Sequence, residues 1–142
     1  MSRAIIEAAW DDRALLQEEE TQQAIRSVID QLDQGILRVA EPTDNGWQVN
    51  EWVKKAVVLY FPIQKMETIE AGPLEFHDKI PLKTGYKEKG IRVVPHAVAR
   101  KGAYISSGTI LIPSYVNIGA YVDEGTSQAC AYLISGSWYV ST

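Results

Sequence analysis

The chain is poor in cysteine and histidine and has no long apolar run. Cys130 is the only cysteine, so an internal disulfide cannot form. No apolar run approaches the roughly 20 residues that span a bilayer, and acids interrupt the N-terminal stretch "MSRAIIEAAWDDR" where a signal peptide would be apolar. His77 and His96 are the only histidines, too few for a three-histidine metal site. These absences predict a cytoplasmic protein with no membrane partner and no metal.

Charge is unevenly spread along the chain. The formal net charge is -4, which argues against a general affinity for nucleic acid. Residues 1–51 hold eleven acids and four bases, a local net of -7, while residues 79–101 hold seven bases and one acid, a local net of +6. The basic stretch could attract an anionic small molecule. It could equally be a solvated, lysine-rich loop face.

The first part of the chain has helical patterns. In "TQQAIRSVIDQLDQG" the apolar residues recur at the spacing of one helical face, with Thr21 as a candidate N-cap and Gly35 just after the end. "RAIIEAAWDDRALL" has a similar pattern, and "NEWVKKAVVLYFPI" predicts a helix to about Tyr60. Residues 64–90 are rich in glycine and proline and predict loops. The apolar positions of the clearest helix are Ile25, Val28, Ile29 and Leu32.

Beyond Gly90, apolar residues recur every six positions. Neither a helix nor a plain strand uses that period on one face, whereas a parallel β-helix with three flat faces per coil does. Each repeated residue is then expected to point into the prism and to stack on its counterpart 18 residues away. The alternative is an ordinary all-β segment with chance spacing. The repeated positions are Val98, Tyr104, Ile110, Val116 and Val122.

Four stretches carry a family resemblance. "GILRVAEP", "EWVKKAVVLYF", "GIRVVP" and "PSYVNIGAYVDEGT" closely resemble tetrahydrodipicolinate N-succinyltransferase of bacterial lysine biosynthesis. The resemblance implies transfer of a succinyl group from succinyl-coenzyme A to the amino group of the opened form of tetrahydrodipicolinate. It also implies homotrimers with active sites between neighbouring β-helices. The expected partners are therefore a second and third copy of the chain, a dicarboxylate substrate and a coenzyme A thioester, with no bound cofactor.

The resemblance and the composition together predict an α+β fold with three parts. Residues 1–90 are expected to form a mainly helical N-terminal domain with short strands and loops. Residues 91–126 are expected to form the first coils of a left-handed parallel β-helix. Residues 127–142 form an uncharged tail that departs from the family.

The departure affects the expected catalytic group. In the family, the Gly-Thr matching Gly125 and Thr126 precedes Met-Val-Asp-Thr-Trp, whose aspartate is implied to orient or deprotonate the acceptor amine. Matched without a gap, that aspartate falls on Ala129, so no catalytic residue is assigned and the chain is expected to be inactive. A frame or assembly error, a truncated paralogue and a partial piece of a longer protein would each explain the tail. The alternative function is a non-catalytic trimerising β-helix module.

Other residues are candidates for substrate binding. Asp123 and Glu124 could shape the acceptor site or cap a corner, and Asn117 could bind ligand or occupy a left-handed corner. Arg92 could pair with a carboxylate or make surface ion pairs, as could Arg100. Cys130 could be an acyl-carrying nucleophile or an incidental thiol.

Overall fold

A computed structural model describes residues 2–126 and the backbone of two further strands, 132–134 and 137–139. Three α-helices and two hairpins form the first part of the chain, with one hairpin before the third helix and one after it. Short strands follow. The helices are α1 (Ser2–Asp11), a 3₁₀ helix (Arg13–Gln17), α2 (Glu19–Asp33) and α3 (Glu51–Tyr60). The hairpin strands are β1 (Ala40–Thr43), β2 (Gly46–Val49), β3 (Glu67–Ala71) and β4 (Leu74–Asp78). The short strands are β5 (Arg92–Val93), β6 (Val98–Ala99), β7 (Tyr104–Ile105), β8 (Ile110–Leu111), β9 (Tyr115–Val116), β10 (Tyr121–Val122), β11 (Tyr132–Ile134) and β12 (Ser137–Tyr139).

The predicted helix α2 is confirmed, with a different start. All four of its predicted apolar positions are buried, and Gly35 follows its last turn at a φ of 75°. The helix begins at Glu19, so Thr21 lies inside it, 3% exposed, instead of capping it. Glu19 and Glu20 occupy the first turn, where acids complement the positive end of the helix dipole.

The three helices enclose the larger of two apolar clusters. Ile6 of α1, Ile25 of α2 and Leu59 of α3 are completely buried there. Ile118, from the strand region, belongs to the same cluster and is 1% exposed. The helical part and the strand region therefore share one core.

The short strands β5 to β10 form three parallel pairs. Arg92 pairs with Ile110, an offset of 18 residues, while Val98 pairs with Tyr115 at an offset of 17. The third pair, β7 with β10, repeats the offset of 17. Parallel pairing at a nearly constant offset means that each strand pairs with the strand three places later: β5 with β8, β6 with β9 and β7 with β10.

The predicted inward phase is wrong for the first half of the repeat. Ile110 is half-buried, whereas Leu111 beside it is completely buried, and the same one-residue shift applies at β6 and β7. The prediction is right again at Val116 and Val122, which are buried. Val116 follows Leu111 by five positions instead of six, and because strand side chains alternate between faces, one missing residue exchanges inside and outside.

Backbone conformation marks the corners between strands. A positive φ recurs at intervals of six from residue 90 to residue 108, and again between residues 119 and 125. Asn117 was a candidate for this conformation, but Gly119 adopts it, at a φ of 84°. Asn117 instead accepts a hydrogen bond at Oδ1 from the N–H of Ile118, at 2.9 Å. The corner residues are Gly90, His96, Gly102, Gly108, Gly119 and Gly125.

The last two strands pair with each other. The backbones of β11 and β12 run antiparallel, with Tyr132 opposite Tyr139. Residues 127–131, including Ala129 and Cys130, lie outside the described residues, as do all side chains of the tail. Among the described residues no helix has the length and apolar character needed to cross a bilayer.

Candidate functional site

Asp33, the last residue of α2, joins the helices to the strand region. Its Oδ1 accepts hydrogen bonds from Lys83 Nζ at 2.7 Å and from the backbone N–H of Gly102 at 2.8 Å. Lys83 is only 5% exposed. Burial lowers the pKa of the Lys83 amine, and the bond to Asp33 opposes that shift. One carboxylate therefore anchors both the basic loop, through a buried ion pair, and the turn at Gly102, through a backbone hydrogen bond.

Two further contacts reinforce this junction. Lys101 Nζ lies 2.8 Å from Asp30 Oδ1, and this bond raises the pKa of Lys101. The Arg38 guanidinium lies 3.4 Å from the ring centroid of Tyr121, whose ring is stacked 4.5 Å from that of Tyr104. The short strands are consequently held against α2 by charge and by the shared core, and against the segment that follows α2 by the cation–π contact of Arg38.

Arg100 forms a polar cluster on the face of β6 and β9. Its Nη2 lies 2.7 Å from Asp78 Oδ2, and its Nη1 donates to Asn117 Oδ1 at 3.3 Å. The guanidinium carbon lies 5.8 Å from the ring centroids of both Phe61 and Tyr115. Burial raises the pKa of Tyr115, and the charge of Arg100 opposes the shift. Asp78 is thus the carboxylate that Arg100 holds in this structure.

A cleft of about 300 Å³ lies beside Asp78. α2, the turn after α3 and the β3–β4 hairpin supply its walls. Arg26 and Lys65 line it together with Lys79, and Glu67 is the acid that accompanies Asp78. Ile63, Ile69 and Ile80 provide apolar lining. The arrangement suits a small anion with an apolar body.

The four candidate substrate residues lie on three different parallel pairs. Arg92 is exposed on β5, while Asn117 directly follows β9 and contacts Arg100. Asp123 directly follows β10, and its Oδ1 accepts from the backbone N–H of the adjacent Glu124 at 2.9 Å. Only Asp123 and Glu124 are brought together. No cluster of His, Cys, Asp and Glu suited to a metal occurs in the part of the chain that the structure describes.

The sequence reasoning missed Asp30, Asp33 and Asp78. A signal was present for the first two, because both acids lie in the last turn of α2, which contains no base. Carboxylates are disfavoured at the negative end of a helix dipole unless cations from elsewhere meet them. The basic stretch 79–101 supplies those cations as Lys83 and Lys101.

The observed architecture defines an α+β protein in which a helical part precedes short parallel strands. A family model described as "Tetrahydrodipicolinate N-succinyltransferase N-terminal" matches residues 2–63, from α1 through α3. The predicted resemblance is confirmed: the helical part of the chain is similar to the N-terminal part of the tetrahydrodipicolinate N-succinyltransferases.

Curated relatives extend the match beyond the helices. Proteins named 2,3,4,5-tetrahydropyridine-2,6-dicarboxylate N-succinyltransferase are 47% identical in Paraburkholderia phymatum over 132 residues, and 46% identical in Acinetobacter baylyi over 132. A relative of the same name in Variovorax paradoxus is 50% identical over 127 residues. These matches cover 85%, 86% and 82% of this chain and 48%, 48% and 46% of the relatives. The chain spans about half the length of the curated relatives it matches.

Proposed function

We propose that this chain provides the N-terminal half of an N-succinyltransferase of lysine (diaminopimelate) biosynthesis. The identity of 46–50% to relatives of that name is the observation that carries the proposal. Succinyl-coenzyme A is the co-substrate, and the acceptor is the amino group of opened tetrahydrodipicolinate. The amine nitrogen attacks the thioester carbonyl, a C–N bond forms, the C–S bond breaks, and coenzyme A leaves as the thiol.

The proposal includes a left-handed parallel β-helix that begins at residue 91. Three parallel pairs at offsets of 17 and 18 support it, as does the recurrence of positive φ at six-residue intervals. Residues 1–90 are then the N-terminal domain, 91–126 the first coils and 127–142 a separate tail. Ile118 and Asp33 would fix the first coils on the helices.

Substrate binding is assigned to Asp123, Glu124, Asn117 and Arg92. Their positions on three different pairs favour a site shared between copies of a homotrimer, because three faces of one prism point in different directions. Asn117 is the best supported of the four, since it contacts Arg100, whose planar fork already holds one carboxylate, that of Asp78.

Catalysis is not assigned to this chain on its own. A carboxylate at hydrogen-bond distance would position and deprotonate the attacking amine. The family's aspartate falls on Ala129, whose side chain has no acid–base group. Residues 1–126 are therefore proposed to be competent for binding and assembly, and the second half of the enzyme to be required for turnover.

A chimeric enzyme tests this proposal. Residues 1–126 of this chain would be joined to the part of the Acinetobacter baylyi relative that follows the counterpart of Thr126. We expect thiol release from succinyl-coenzyme A that depends on tetrahydrodipicolinate, with none from the relative's second half alone. A folded chimera without thiol release would overturn the proposal.

The same chimera tests the binding residues. Asn117→Ala is expected to raise KM for tetrahydrodipicolinate about tenfold, since one charge-supported hydrogen bond contributes roughly 1–2 kcal/mol. Glu75→Gln, at an exposed acid of the β3–β4 hairpin, is the matched control and should leave KM unchanged. Equal effects from both changes would remove Asn117 from the site.

The second candidate is a non-catalytic trimerising module, favoured by Ala129 in place of the aspartate. Sedimentation of the unmodified chain, with a parallel thiol-release assay, tests this second candidate. A trimer without turnover fits both. Turnover by the chain alone would exclude the module and contradict the expected inactivity.

A further inference from the structure

We propose that the cleft between α2, the turn after α3 and the β3–β4 hairpin binds a small aliphatic dicarboxylate, at a site separate from the substrate residues on the coils. The juxtaposition of Arg26, Lys65 and Lys79 around an apolar lining carries the inference. It does not depend on the catalytic proposal above.

The charge of the cleft is the first argument. Its three cations come from three different elements and face one cavity of about 300 Å³. Arg26 donates to the side-chain oxygen of Gln64, a neutral group, so its charge is not neutralised by that bond. Within the described residues, Lys65 and Lys79 form no ion pair. Two carboxylates can therefore each meet a cation.

The acids of the cleft do not cancel this excess. Asp78 already binds Arg100 through a contact of 2.7 Å, which leaves Glu67 as the cleft acid outside any ion pair among the described residues. Three cations facing one such carboxylate form a field that attracts a dianion. The cleft is cationic although residues 1–51 carry a local net charge of -7.

The size and lining of the cleft define the body of the ligand. A volume of about 300 Å³ is at the lower end of the range for small-molecule sites. Ile63, Ile69 and Ile80 add apolar surface, and Ile80 is 1% exposed and therefore fixed by its packing. A short aliphatic chain with a carboxylate at each end matches both the apolar lining and the separated cations.

Ligand binding in this cleft is expected to alter side-chain contacts in the short-strand region. Asp78 lines the cleft and binds Arg100. Arg100 in turn donates a hydrogen bond to Asn117, which follows β9. A carboxylate placed beside Asp78 repels it and competes for Arg100, so the Arg100–Asn117 contact changes with occupancy. This continuous chain of contacts couples the cleft to a proposed substrate residue.

Titration of the ¹⁵N-labelled full chain with adipate, a six-carbon aliphatic dicarboxylate, tests the proposal. We expect saturable shifts of amide signals in the cleft and at Asn117. Lys79→Gln should weaken binding at least about fivefold, because it removes one charge-assisted contact. Lys87→Gln is the matched control, since Lys87 is an exposed lysine of the same basic stretch that does not line the cleft.

Each outcome decides between specific alternatives. Hexanoate has one carboxylate and should bind at least about fivefold more weakly than adipate. Phosphate binding as tightly as adipate would overturn the assignment to a dicarboxylate and indicate a general anion site.

Equal weakening by Lys79→Gln and Lys87→Gln, or the absence of saturation, would overturn the site itself. Arg26→Lys keeps the charge but loses the planar fork, so it should weaken binding less than Lys79→Gln does, and an equal or larger loss would contradict a binding role based on charge. Failure here leaves the result of the chimera experiment unaffected.

Discussion

At the scale of single residues, the most consequential position is the C-terminal end of α2. Asp33 accepts from a buried lysine and from a coil corner, so one carboxylate satisfies two groups that water does not reach freely. Asp30, one turn earlier, makes a similar ion pair with Lys101, but both partners are about half exposed. The two aspartates provide a natural comparison between a buried and an exposed pair.

Asp33→Asn is expected to destabilise the protein by about 3 kcal/mol, because it leaves the Lys83 ammonium buried without a counter-charge. Asp30→Asn, the matched control, should cost less than about 1 kcal/mol, as exposed ion pairs do. Urea unfolding followed by circular dichroism measures both. The double change Asp33→Asn with Lys83→Met should recover part of the loss. Equal costs for the two aspartates would contradict a special role for Asp33.

Tyr60 makes stability sensitive to alkaline pH. Burial raises its pKa above the ordinary 10.0. The unfolded chain then loses the phenol proton first, so stability falls as pH rises from 10.0 through the raised value. We expect Tyr60→Phe to unfold less readily than the parent above pH 10.0, with similar stability near neutrality. Thermal unfolding across this range measures the effect.

Other groups set the background for that measurement. Burial also raises the pKa of Tyr86 and of Tyr115, so their contributions to stability likewise decrease as pH rises. The pKa of Lys101 is raised, so its contribution is present below 10.5 and is lost as pH rises through its folded value. Lys83 has a lowered pKa and opposes this trend. If Tyr60→Phe and its parent lose stability in parallel, the phenol of Tyr60 is not responsible.

At the scale of elements, the turns between the short strands differ in how closely they approach the helices. A Cβ added at Gly102 would lie 2.7 Å from Ile118 and 3.1 Å from Ile29, whereas at Gly108 nothing lies within 4 Å. Both glycines have a positive φ, of 88° and 82°. They therefore share the backbone requirement and differ only in packing.

Gly108→Ala is expected to cost about 1–2 kcal/mol, the usual cost of a left-handed conformation for a residue with a Cβ. Gly102→Ala should cost at least about 1 kcal/mol more, since the methyl group collides with the core where the coil meets α2. Chemical unfolding of the two variants provides the comparison. Similar losses would mean that the junction accommodates a methyl group.

The phase of the repeat can be tested by truncation at β8. Leu111 is completely buried, so Leu111→Ala should cost about 2–5 kcal/mol. Ile110→Ala at the half-buried neighbour should cost clearly less, although the two changes remove a similar volume. If Ile110→Ala cost more than Leu111→Ala in an unfolding experiment, Ile110 would be the inward residue, as the spacing of six predicts.

At the scale of the whole molecule, the two apolar clusters differ in the size of their residues. The helical cluster buries many large aliphatic side chains, whereas the cluster of the short-strand region includes Ala99, Ala103 and Ala120. Less apolar surface is therefore removed from water per residue in the short-strand region. Ile118 connects the clusters by packing among the helices.

This difference predicts graded hydrogen exchange. Amides of Ile25 and Ile29 in α2 should exchange more slowly than those of Ile105 and Leu111 in the coils, because opening the helical cluster exposes more apolar surface. Exchange measured by NMR on the full chain tests the order. Uniform protection would indicate that the shared Ile118 and the Asp33 junction make both clusters open as one unit.

Local patterns were sufficient for much of the fold. The apolar face of α2, its terminal glycine and the existence of a six-residue repeat were all predicted, since each depends on neighbours within a few positions. The family resemblance was also available from the stretches quoted above and is confirmed by the relatives. Trimer formation, the left-handed β-helix and the substrate-binding roles of Asp123, Glu124, Asn117 and Arg92 stay predictions.

The sequence by itself determined which segments of the N-terminal part are helical and which known proteins they resemble, because these follow from short-range periodicity and from characteristic motifs. Tertiary structure alone decided which side of each short strand faces inward. Apolar residues occupy both sides, so a single short interval between Leu111 and Val116 reversed the pattern without a visible break. It alone also decided the partners of Asp33, which lie 50 and 69 residues along the chain. Such pairings depend on how elements pack, and that packing brings distant charges together without leaving a local pattern.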